Sequence, residues 1–600
     1  MSTKPTKLNK ESESLKEQII KLEKQLESFK HSNDHFLKNK LFLHYDIKEP
    51  EKVVVDCETK LPVLAEVDKK KIQNGKESDP THLLLEGDNY HALSVLNYTH
   101  VGKIDIIYID PPYNTGNKDF IYNDRFVDRE DAFRHSKWLS FMAHRLRLAK
   151  NLLAETGVIF ISIDDNEQAH LRLLCDQIFG EENFVNQFVW ISNLKGRQIS
   201  SSGAARTYEY VLCYAKSIFN IDEFVGDFAW LKEKMPSSYK GFEYETKKDE
   251  IGEYYITNEL HNTNSKFNEE TRPNLVFDIY YNPKTKEIIT EATSDKNLHK
   301  GFVKISPKTN NDGTHKYHAY RWSRNKIANE PHDLEFVKSE NTYKIYTKRR
   351  NFTTIVKDLI TDINTTQGSA DIKELLSKGA FDYPKPVNLI QFILDIVQNK
   401  SATILDFFAG SGTTGHAVLK LNAQDSGTRQ FILCTNNENK IAENVTYPRI
   451  KKVIDGYGDN APSSANLRYF QTDFVEKKGS ASQLKIDLTR QCAEMLCVKE
   501  NVFEAVKLKK QAKNYKFFKN GNKYLGVFFD FFTDAEFVGF IKELNALPKE
   551  AEKAVYVFVL DGSAGILADE FSGVANCEVK EIPQKILDIY KQLAREVTRK

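Results

Sequence analysis

The run Ile104–Tyr113, IDIIYIDPPY, constrains the fold of this chain more than any other segment. Its β-branched apolar residues predict a buried strand, and Pro111 and Pro112 prevent further pairing of that strand. The strand must therefore end in a stiff turn, which is where open α/β sheets hold their ligands. Asp110 and the Pro111 carbonyl can accept the hydrogens of an exocyclic amine while Tyr113 stacks on a planar base. The alternative is a strand that ends in a tight turn without a ligand.

A second apolar strand runs into a glycine-rich turn in the sequence ATILDFFAGSGTT. Asp406 ends this strand, and Gly410 and Gly412 allow the backbone to approach a ligand closely before a helix begins. The turn has the G-x-G-x-x-G spacing of dinucleotide-binding turns, and the lack of a following Gly-Lys-Ser/Thr excludes a Walker A phosphate loop. Beyond the next strand, Glu438 is either an acid suited to ribose hydroxyls or a solvated acid at a strand end.

The combination of DPPY with D-x-F-x-G-S-G resembles the amino-group DNA methyltransferases that use S-adenosylmethionine. In that family Asp-Pro-Pro-Tyr is typical of enzymes that act on adenine N6, and Ser-Pro-Pro-Tyr of enzymes that act on cytosine N4. The catalytic motif precedes the cofactor motif, as in the β arrangement. The layout is most similar to the modification (Mod) subunits of Type III restriction–modification systems, which implies an adenine-specific, site-specific DNA methyltransferase.

The resemblance implies an α/β fold: a Rossmann-like, S-adenosylmethionine-dependent methyltransferase sheet with an inserted target-recognition domain and a small α/β C-terminal domain. The implied catalytic residues are Asp110, Pro111, Pro112 and Tyr113. The implied cofactor-binding residues are Asp88, Lys385, Asp406, Phe408, Gly410, Gly412 and Glu438. Among them, Asp88 matches an acid near the cofactor's adenosine, and Lys385 is expected at its methionine carboxylate.

Resemblance and composition together predict five parts of the chain. They are an N-terminal amphipathic helix with a dimer contact at 1–45, a catalytic half at 46–230, a target-recognition domain at 231–380, a cofactor-binding half at 381–470, and a C-terminal partner or dimer domain at 471–600. Leu8, Leu15 and Leu22 belong to a seven-residue repeat, which is typical of a coiled coil or of a helix packed on its own domain. Residues 48–80 are polar and contain Pro and Gly, which predicts a linker.

Basic residues interleaved with aromatic ones predict the contacts with DNA. They lie between the two motifs, at Arg321, Arg324, Lys344, Lys348, Arg349 and Arg350. The alternative is a solvated charged face. Because the net charge is only +1, this prediction depends on where the charges lie and not on their sum.

Other features narrow the class of protein. The seven cysteines form no CxxC pair, which predicts reduced cysteines and no metal site, and the acid pair Asp164–Asp165 is typical of a helix cap. No apolar run reaches membrane-spanning length, so a cytoplasmic protein is expected. Since no Walker A motif is present, ATP-dependent restriction would need a separate restriction (Res) subunit. Double-stranded DNA and a second copy of the chain are the other expected partners.

Several alternatives remain open at this stage. They are a stand-alone DNA methyltransferase, an N4-cytosine enzyme, an enzyme acting on RNA, and a non-catalytic specificity subunit. Asp110 disfavours the N4-cytosine enzyme, and the intact DPPY and glycine motifs disfavour a subunit that has lost catalysis.

Overall fold

The computed structural model describes residues 50–194, 204–241, 244–296, 299–377, 379–508, 513–529, 534–559 and 569–598. The predicted N-terminal helix and its dimer contact lie outside these residues. The chain divides into two compact units, one formed by the residues up to Ile221 together with those from Ile363 onward, and the other by Asp222–Asp362.

A large mixed sheet forms the centre of the first unit. Its strands in chain order are β1 (Lys60–Glu66), β2 (Ile72–Gln73), β3 (Thr81–Glu86), β4 (Ile104–Ile109), β5 (Leu153–Ile163), β6 (Phe184–Trp190), β7 (Glu209–Ala215), β8 (Thr403–Asp406), β9 (Gln430–Thr435) and β10 (Asn466–Glu476). Their order across the sheet is β1-β10-β3-β9-β8-β4-β5-β7-β6, and β2 pairs with β10. The strands from β10 to β5 run parallel, whereas β1, β2, β6 and β7 pair antiparallel with their neighbours.

Helices pack against this sheet. They are α1 (Lys52–Thr59), α2 (Asn89–Thr99), α3 (Arg134–Leu152), α4 (Gln168–Phe179), α5 (Thr365–Leu375), α6 (Val387–Asp395), α7 (Thr413–Asp425), α8 (Tyr447–Asp455), α9 (Ala481–Gln491) and α10 (Ala493–Glu500). In α3, the side chains of Trp138, Met142, Leu146 and Ala149 recur at helical spacing and are buried. The parallel strands are buried along most of their length because helices cover both faces of such sheets. This confirms the expected Rossmann-like α/β fold.

The prediction that residues 48–80 form a linker is wrong. This segment contains α1, β1 and β2, and the side chains of Leu61, Val63 and Leu64 in β1 are buried in the core. Strand β1 pairs antiparallel with β10, which lies some four hundred residues later. The sequence analysis missed this strand for two reasons. The residues around it are polar, and its pairing partner β10 lies in a distant part of the chain.

The second unit is built from short antiparallel strands. The strands of its sheets are Val225–Asp227, Lys247–Lys248, Glu253–Glu259, Asp278–Tyr281, Ile288–Glu291, Val303–Ile305, Leu334–Ser339, Thr342–Arg349 and Thr353–Ile355, and its helices are Phe228–Lys234 and Arg324–Asn329. The observed bounds, 222–362, differ from the predicted range 231–380. At the carboxyl side the predicted range included α5, which belongs to the first unit. There, Lys452 Nζ of α8 donates to the carbonyl of Leu375 at 2.6 Å.

The C-terminal residues form a small α/β layer within the first unit. Its strands are Glu504–Ala505, Tyr515–Asn520, Lys523–Phe528, Glu552–Phe558 and Cys577–Ile582, with helices α11 (Asp534–Ala546) and α12 (Gln584–Thr598). They follow one another across the sheet in chain order. Strand β10 spans the predicted boundary at 470/471. Within the described residues, no helix combines the length and the apolar composition needed to cross a membrane.

Candidate active site

The two sequence motifs meet at one edge of the central sheet. Ile404 of β8 pairs with Ile106 of β4, and Leu405 with Ile107, in parallel register. The carboxyl ends of these neighbouring strands therefore lie side by side, and the turns that follow them open at the same edge. The two strands that carry the motifs are thus neighbours in the sheet, although the motifs lie far apart in the chain.

The Asp-Pro-Pro-Tyr turn is held by the core behind it. Trp138 of α3, whose side chain is fully buried, donates its indole N–H to the carbonyl of Pro112 at 2.7 Å. The Tyr113 hydroxyl lies 2.9 Å from Asp110 Oδ1 and can donate to it. Burial raises the pKa of Asp110 and outweighs the opposing effect of a nearby lysine. The turn thus presents a carboxylate and an aromatic ring in fixed positions.

That lysine is Lys385. Its Nζ lies 3.1 Å from Asp110 Oδ1, 3.1 Å from Glu209 Oε2 and 2.8 Å from the Tyr113 hydroxyl. Burial alone would lower the pKa of Lys385, but Asp110 and Glu209 outweigh it and raise that pKa. The sequence predicted a contact of Lys385 with the methionine carboxylate of a cofactor, and in the structure Lys385 contacts the Asp110 carboxylate.

Glu209 is a residue of this site that the sequence did not reveal. It begins β7, and the Tyr113 hydroxyl lies 3.0 Å from its Oε2. Because β7 runs antiparallel to β5, with Tyr210 opposite Ile163, the start of β7 lies at the edge where β4 and β5 end. Nothing in the local sequence marks this position, since it depends on the direction in which β7 joins the sheet.

The glycine turn is fixed by its own hydrogen bonds. Asp406 is buried and accepts from the Phe408 N–H at 3.0 Å and from the Thr414 hydroxyl, and burial raises its pKa to about 7. Gly410 and Gly412 have φ values of +47° and +80°, which favour glycine. Asp406 therefore holds the turn from within, and the two glycines permit its backbone conformation.

The turn is also secured from α8. Thr446, just before this helix, donates its hydroxyl hydrogen to the Gly410 carbonyl, and the two oxygens lie 2.6 Å apart. Arg449 is fully buried and donates to the hydroxyls of Ser411 and Thr413, at 2.9 Å each. Burial lowers the pKa of Arg449 to about 10. These contacts join the turn to α8.

Asp88 caps α2 beside the glycine turn. It accepts from the Tyr90 N–H at 2.7 Å and lies 3.3 Å from Arg145 Nη2, whose side chain is buried. The adjacent Asn89 donates to the carbonyl of Phe407 at 2.9 Å, which joins the start of α2 to the glycine turn. The Asp88 side chain is 32% exposed, and its place at a cofactor stays a prediction.

Two further predicted cofactor residues lie near the same strand ends. The Phe408 ring is 5.8 Å from that of Phe141 and is half-buried against the core. Glu438 is exposed in a short turn, Glu438–Lys440, directly after β9.

A hydrogen-bonded cluster supports the catalytic turn from behind. The Glu167 carboxylate accepts from Asn114 Nδ2 at 2.5 Å, and it lies 2.6 Å from His135 Nδ1 and 2.8 Å from His170 Nδ1. Burial raises the pKa of Glu167 to about 7. Asn114 directly follows Tyr113, is fully buried and has a φ of +55°. The cluster therefore fixes Asn114, the residue that follows the Asp-Pro-Pro-Tyr turn.

The residue types of this cluster could also hold a metal ion. The contact of Arg134 argues for a network of hydrogen bonds instead. Arg134 Nη2 lies 3.1 Å from His135 Nε2 and can only donate, so neutral His135 carries its proton on Nδ1 and donates it to Glu167. A metal-bound histidine needs an acceptor at its other nitrogen, whereas this one faces a guanidinium group.

The predicted DNA-binding residues lie in three kinds of surroundings within the second unit. Lys348 and Arg350 form ion pairs with Asp249, at 2.7 and 2.8 Å, and Arg350 also pairs with Asp333 at 2.8 Å. Arg324 lies 5.2 Å from the centre of the Phe277 ring. The remaining three basic side chains are exposed: Arg321, Lys344 and Arg349.

Comparison with known proteins agrees with this geometry. A family model described as DNA methylase matches residues 104–445, more than half of the chain. The chain is 34% identical over 416 residues to the EcoPI Mod subunit of a Type III restriction-modification enzyme from Escherichia phage P1, which covers 63% of this chain but only 60% of that protein. It is 34% identical over 377 residues to the Type II methyltransferase M.KpnI from Klebsiella pneumoniae, covering 62% of this chain and 84% of that one.

Among solved structures, the cytosine-N4-specific PvuII DNA methyltransferase aligns with 63% of this chain and 93% of its own, at 10% identity and a TM-score of 0.31. The match of the family model includes both the Asp-Pro-Pro-Tyr turn and the glycine turn. This chain belongs to the N6/N4 DNA methylase family.

Proposed function

We propose that this chain is the modification and specificity subunit of a Type III restriction–modification system. In this role it transfers a methyl group from S-adenosylmethionine to adenine N6 in duplex DNA. The observation that carries the proposal is the meeting of the Asp110 turn and the glycine turn at one sheet edge. Relatives named as Type III Mod subunits, from Escherichia phage P1 and Escherichia coli, support the assignment to such a system.

The glycine turn fits S-adenosylmethionine. A Cβ atom at Gly410 would lie 3.3 Å from Phe381 Cζ, and one at Gly412 would lie 3.2 Å from Thr446 Cγ2. Both positions are therefore too closely packed for a larger residue, and the bare glycine backbone of the turn suits a ligand bound closely to it. When bound, S-adenosylmethionine supplies an electrophilic methyl group on a sulfonium whose sulfur keeps the bonding electrons, while the acceptor nitrogen releases one proton.

Side chains around the turn suit the parts of this cofactor. The half-buried ring of Phe408 offers an apolar surface to the adenosine. Asp88 and Glu438 offer carboxylates to its hydroxyl and amino groups. Asp406 has both oxygens engaged in the turn, so its part is to hold the glycines in place.

The catalytic turn orients the target base. The base leaves the duplex stack, and Tyr113 stacks on it. Asp110 and the Pro111 carbonyl accept the two amino hydrogens, which draws the nitrogen toward a tetrahedral geometry and directs its lone pair. Asp110 also stabilises the positive charge that develops on the nitrogen, because a carboxylate fixed in a half-buried turn needs no reorganisation. Alignment of the reacting groups supplies most of the remaining acceleration.

The second unit, 222–362, is proposed to recognise the target sequence, as 231–380 was expected to do. Its exposed basic residues Arg321, Lys344 and Arg349 suit contacts with phosphates. Lys348 and Arg350 both pair with Asp249 and thereby stabilise the unit. Recognition is therefore assigned to the three exposed residues.

The proposed partners follow from the proposed system. Restriction requires a separate ATP-dependent Res subunit, and a second copy of the chain is proposed to bind through the heptad segment 8–37 or the C-terminal part. The cysteines are free thiols, which agrees with a reducing compartment such as the cytoplasm.

The test is methyl transfer by the purified full-length chain. Duplex DNA of mixed sequence is incubated with methyl-labelled S-adenosylmethionine and digested, and the nucleosides are identified by mass. We expect N6-methyladenine at one sequence. N4-methylcytosine would replace the adenine assignment, and no methylated base with wild-type protein would overturn the proposed activity. If the chain isolated from its native host methylates DNA and carries no bound Res subunit, the result would favour a stand-alone methyltransferase.

A further inference from the structure

Asp110, the proposed acceptor for the target amine, is already bound by a cation of this chain. Lys385 Nζ lies 3.1 Å from Asp110 Oδ1, and their side chains are only 11% and 27% exposed. An ammonium group donates hydrogens to a carboxylate, as the exocyclic amine of a base does. Lys385 and the target amine therefore compete for the same carboxylate.

Glu209 gives Lys385 a second partner. Glu209 Oε2 lies 3.1 Å from Lys385 Nζ and 3.0 Å from the Tyr113 hydroxyl, and its side chain is 19% exposed. A lysine that left Asp110 without another carboxylate would keep a poorly hydrated charge, which is strongly unfavourable. With Glu209 in contact, Lys385 can leave Asp110 and stay paired.

We propose that Lys385 and Glu209 form a displaceable pair: the amino group of the target base displaces Lys385 from Asp110, and Glu209 retains Lys385 during methyl transfer. The inference rests on the proposed function. Lys385 and Glu209 are positioning residues, since they act through Asp110 and Tyr113. Before the target binds, Lys385 holds Asp110 in place and opposes the rise in the pKa of Asp110 that burial causes.

The formal charges of the cluster agree with this role. Asp110 and Glu209 carry two negative charges and Lys385 one positive charge, so the cluster has a net charge of −1. Methyl transfer develops one positive charge on the amino nitrogen, which this net charge balances. Without Glu209, the charge of Lys385 would cancel that of Asp110, and the cluster would have no net negative charge to balance the positive charge on the amino nitrogen.

The test compares wild type with Lys385→Met, Glu209→Gln and the double variant, as full-length proteins acting on the mapped target. In Glu209→Gln, Lys385 has only Asp110 as a charged partner, so kcat/KM should fall by about tenfold or more. Removing Lys385 as well frees Asp110 from this competitor. The double variant should therefore be at least several-fold more active than Glu209→Gln alone, a coupling that two independent defects would not produce.

Lys385→Met gives a second readout through the pH profile of kcat. The groups that face Asp110 are Lys385, Glu209, Tyr113, Tyr108 and Asp406. Lys385 is the cation among them and lowers the pKa of Asp110, so its loss raises that pKa further. Asp110 then stays protonated to a higher pH, and the acid limb of the profile should shift to higher pH.

The matched control is Lys400→Met, which removes an exposed lysine paired with Asp425. This control should keep the wild-type rate and pH profile, and all variants should bind S-adenosylmethionine by calorimetry as wild type does. A double variant no more active than Glu209→Gln overturns the displaceable pair, as does an unshifted acid limb in Lys385→Met. If Glu209→Gln does not fold, the pH profile of Lys385→Met is the test of the proposal. A wild-type protein that methylates no DNA overturns the proposed function and this inference with it, whereas failure of the variants alone leaves the proposed function intact.

Discussion

Ile404 pairs with Ile106 in adjacent parallel strands, although the two motifs that these strands carry lie in opposite halves of the chain. This register places the glycine turn beside the Asp-Pro-Pro-Tyr turn. A methyl donor held by one turn and a base held by the other would meet at the sheet edge between β4 and β8. The catalytic geometry thus depends on strand order as much as on the motifs themselves.

Replacing Asp110 should remove catalysis and spare cofactor binding. We expect Asp110→Asn and Asp110→Ala to lower kcat by about 10²–10³-fold, because a fixed acceptor at a developing charge is lost. Methyl-labelled cofactor and target DNA give the rate, and calorimetry should show cofactor affinity within a few-fold of wild type. Asp165→Asn, which alters an exposed carboxylate paired with Arg206, is the control and should be fully active. Near-wild-type activity of Asp110→Ala would refute the catalytic role.

Gly412 should be essential for cofactor binding. Its φ of +80° is unfavourable for any residue with a Cβ, at about 1–2 kcal/mol, and that Cβ would also lie 3.2 Å from Thr446. Gly412→Val should therefore abolish binding of S-adenosylmethionine in a calorimetric titration. The control is Gly539→Ala in α11, where a Cβ would meet only the Tyr515 hydroxyl at 3.5 Å. Unchanged affinity in Gly412→Val would show that the turn is purely structural.

Glu167 should make stability depend on pH. Burial raises the pKa of this carboxyl from its ordinary value of 4.5 to about 7 in the folded protein. Between these two pH values the unfolded chain has lost the proton while the folded protein still holds it, so the free energy of unfolding falls as the pH rises. The loss attributable to this group is at most about 3 kcal/mol.

Urea titrations from pH 4.5 to 8 check this dependence. Glu167→Gln keeps the size of the side chain and removes its titration, so its free energy of unfolding should fall less steeply over that range. His135, whose pKa burial lowers, contributes with the opposite sign and is present in both proteins. Parallel pH dependences for the two proteins would contradict the prediction.

Exposed and paired basic residues of the second unit should respond differently to substitution. Lys344→Ala and Arg349→Ala should weaken DNA binding for all sequences, and each should reduce the dependence of log K on log salt by about 1. Arg350→Ala should instead lower the melting temperature, because Asp249 and Asp333 lose a shared partner. Fluorescence anisotropy at several salt concentrations and thermal denaturation measure the two effects. A changed salt slope in Arg350→Ala with unchanged stability would reverse this assignment.

Exchange of the second unit should change the target sequence. Residues 222–362 would be replaced by the corresponding unit of a relative with a different target, with the junctions at the ends of the compact unit. We expect methylation to move to the relative's sequence while adenine N6 stays the acceptor, since Asp110 and the glycine turn are retained. Sequencing of methylated positions is the measurement. A folded, active chimaera that keeps the original target would show that recognition lies elsewhere.

The sequence by itself determined the two motifs and the turns that carry them. Pro111 and Pro112 end β4 whatever surrounds them, and glycines at 410 and 412 permit backbone angles that other residues resist. Such constraints act within a few residues, so they can be read without knowledge of the fold. The large size of the insertion between the motifs could also be predicted, because crossover connections are short.

Only the tertiary structure decided which distant groups meet at the site. Glu209 joins it because β7 runs antiparallel to β5, and Lys385 lies on Asp110 because the segment before α6 returns to the same edge. Strand β1 was missed for the same reason, since its partner β10 lies near the other end of the described chain. Ion pairs and strand pairing depend on separation in space, which sequence spacing fixes only over a few residues.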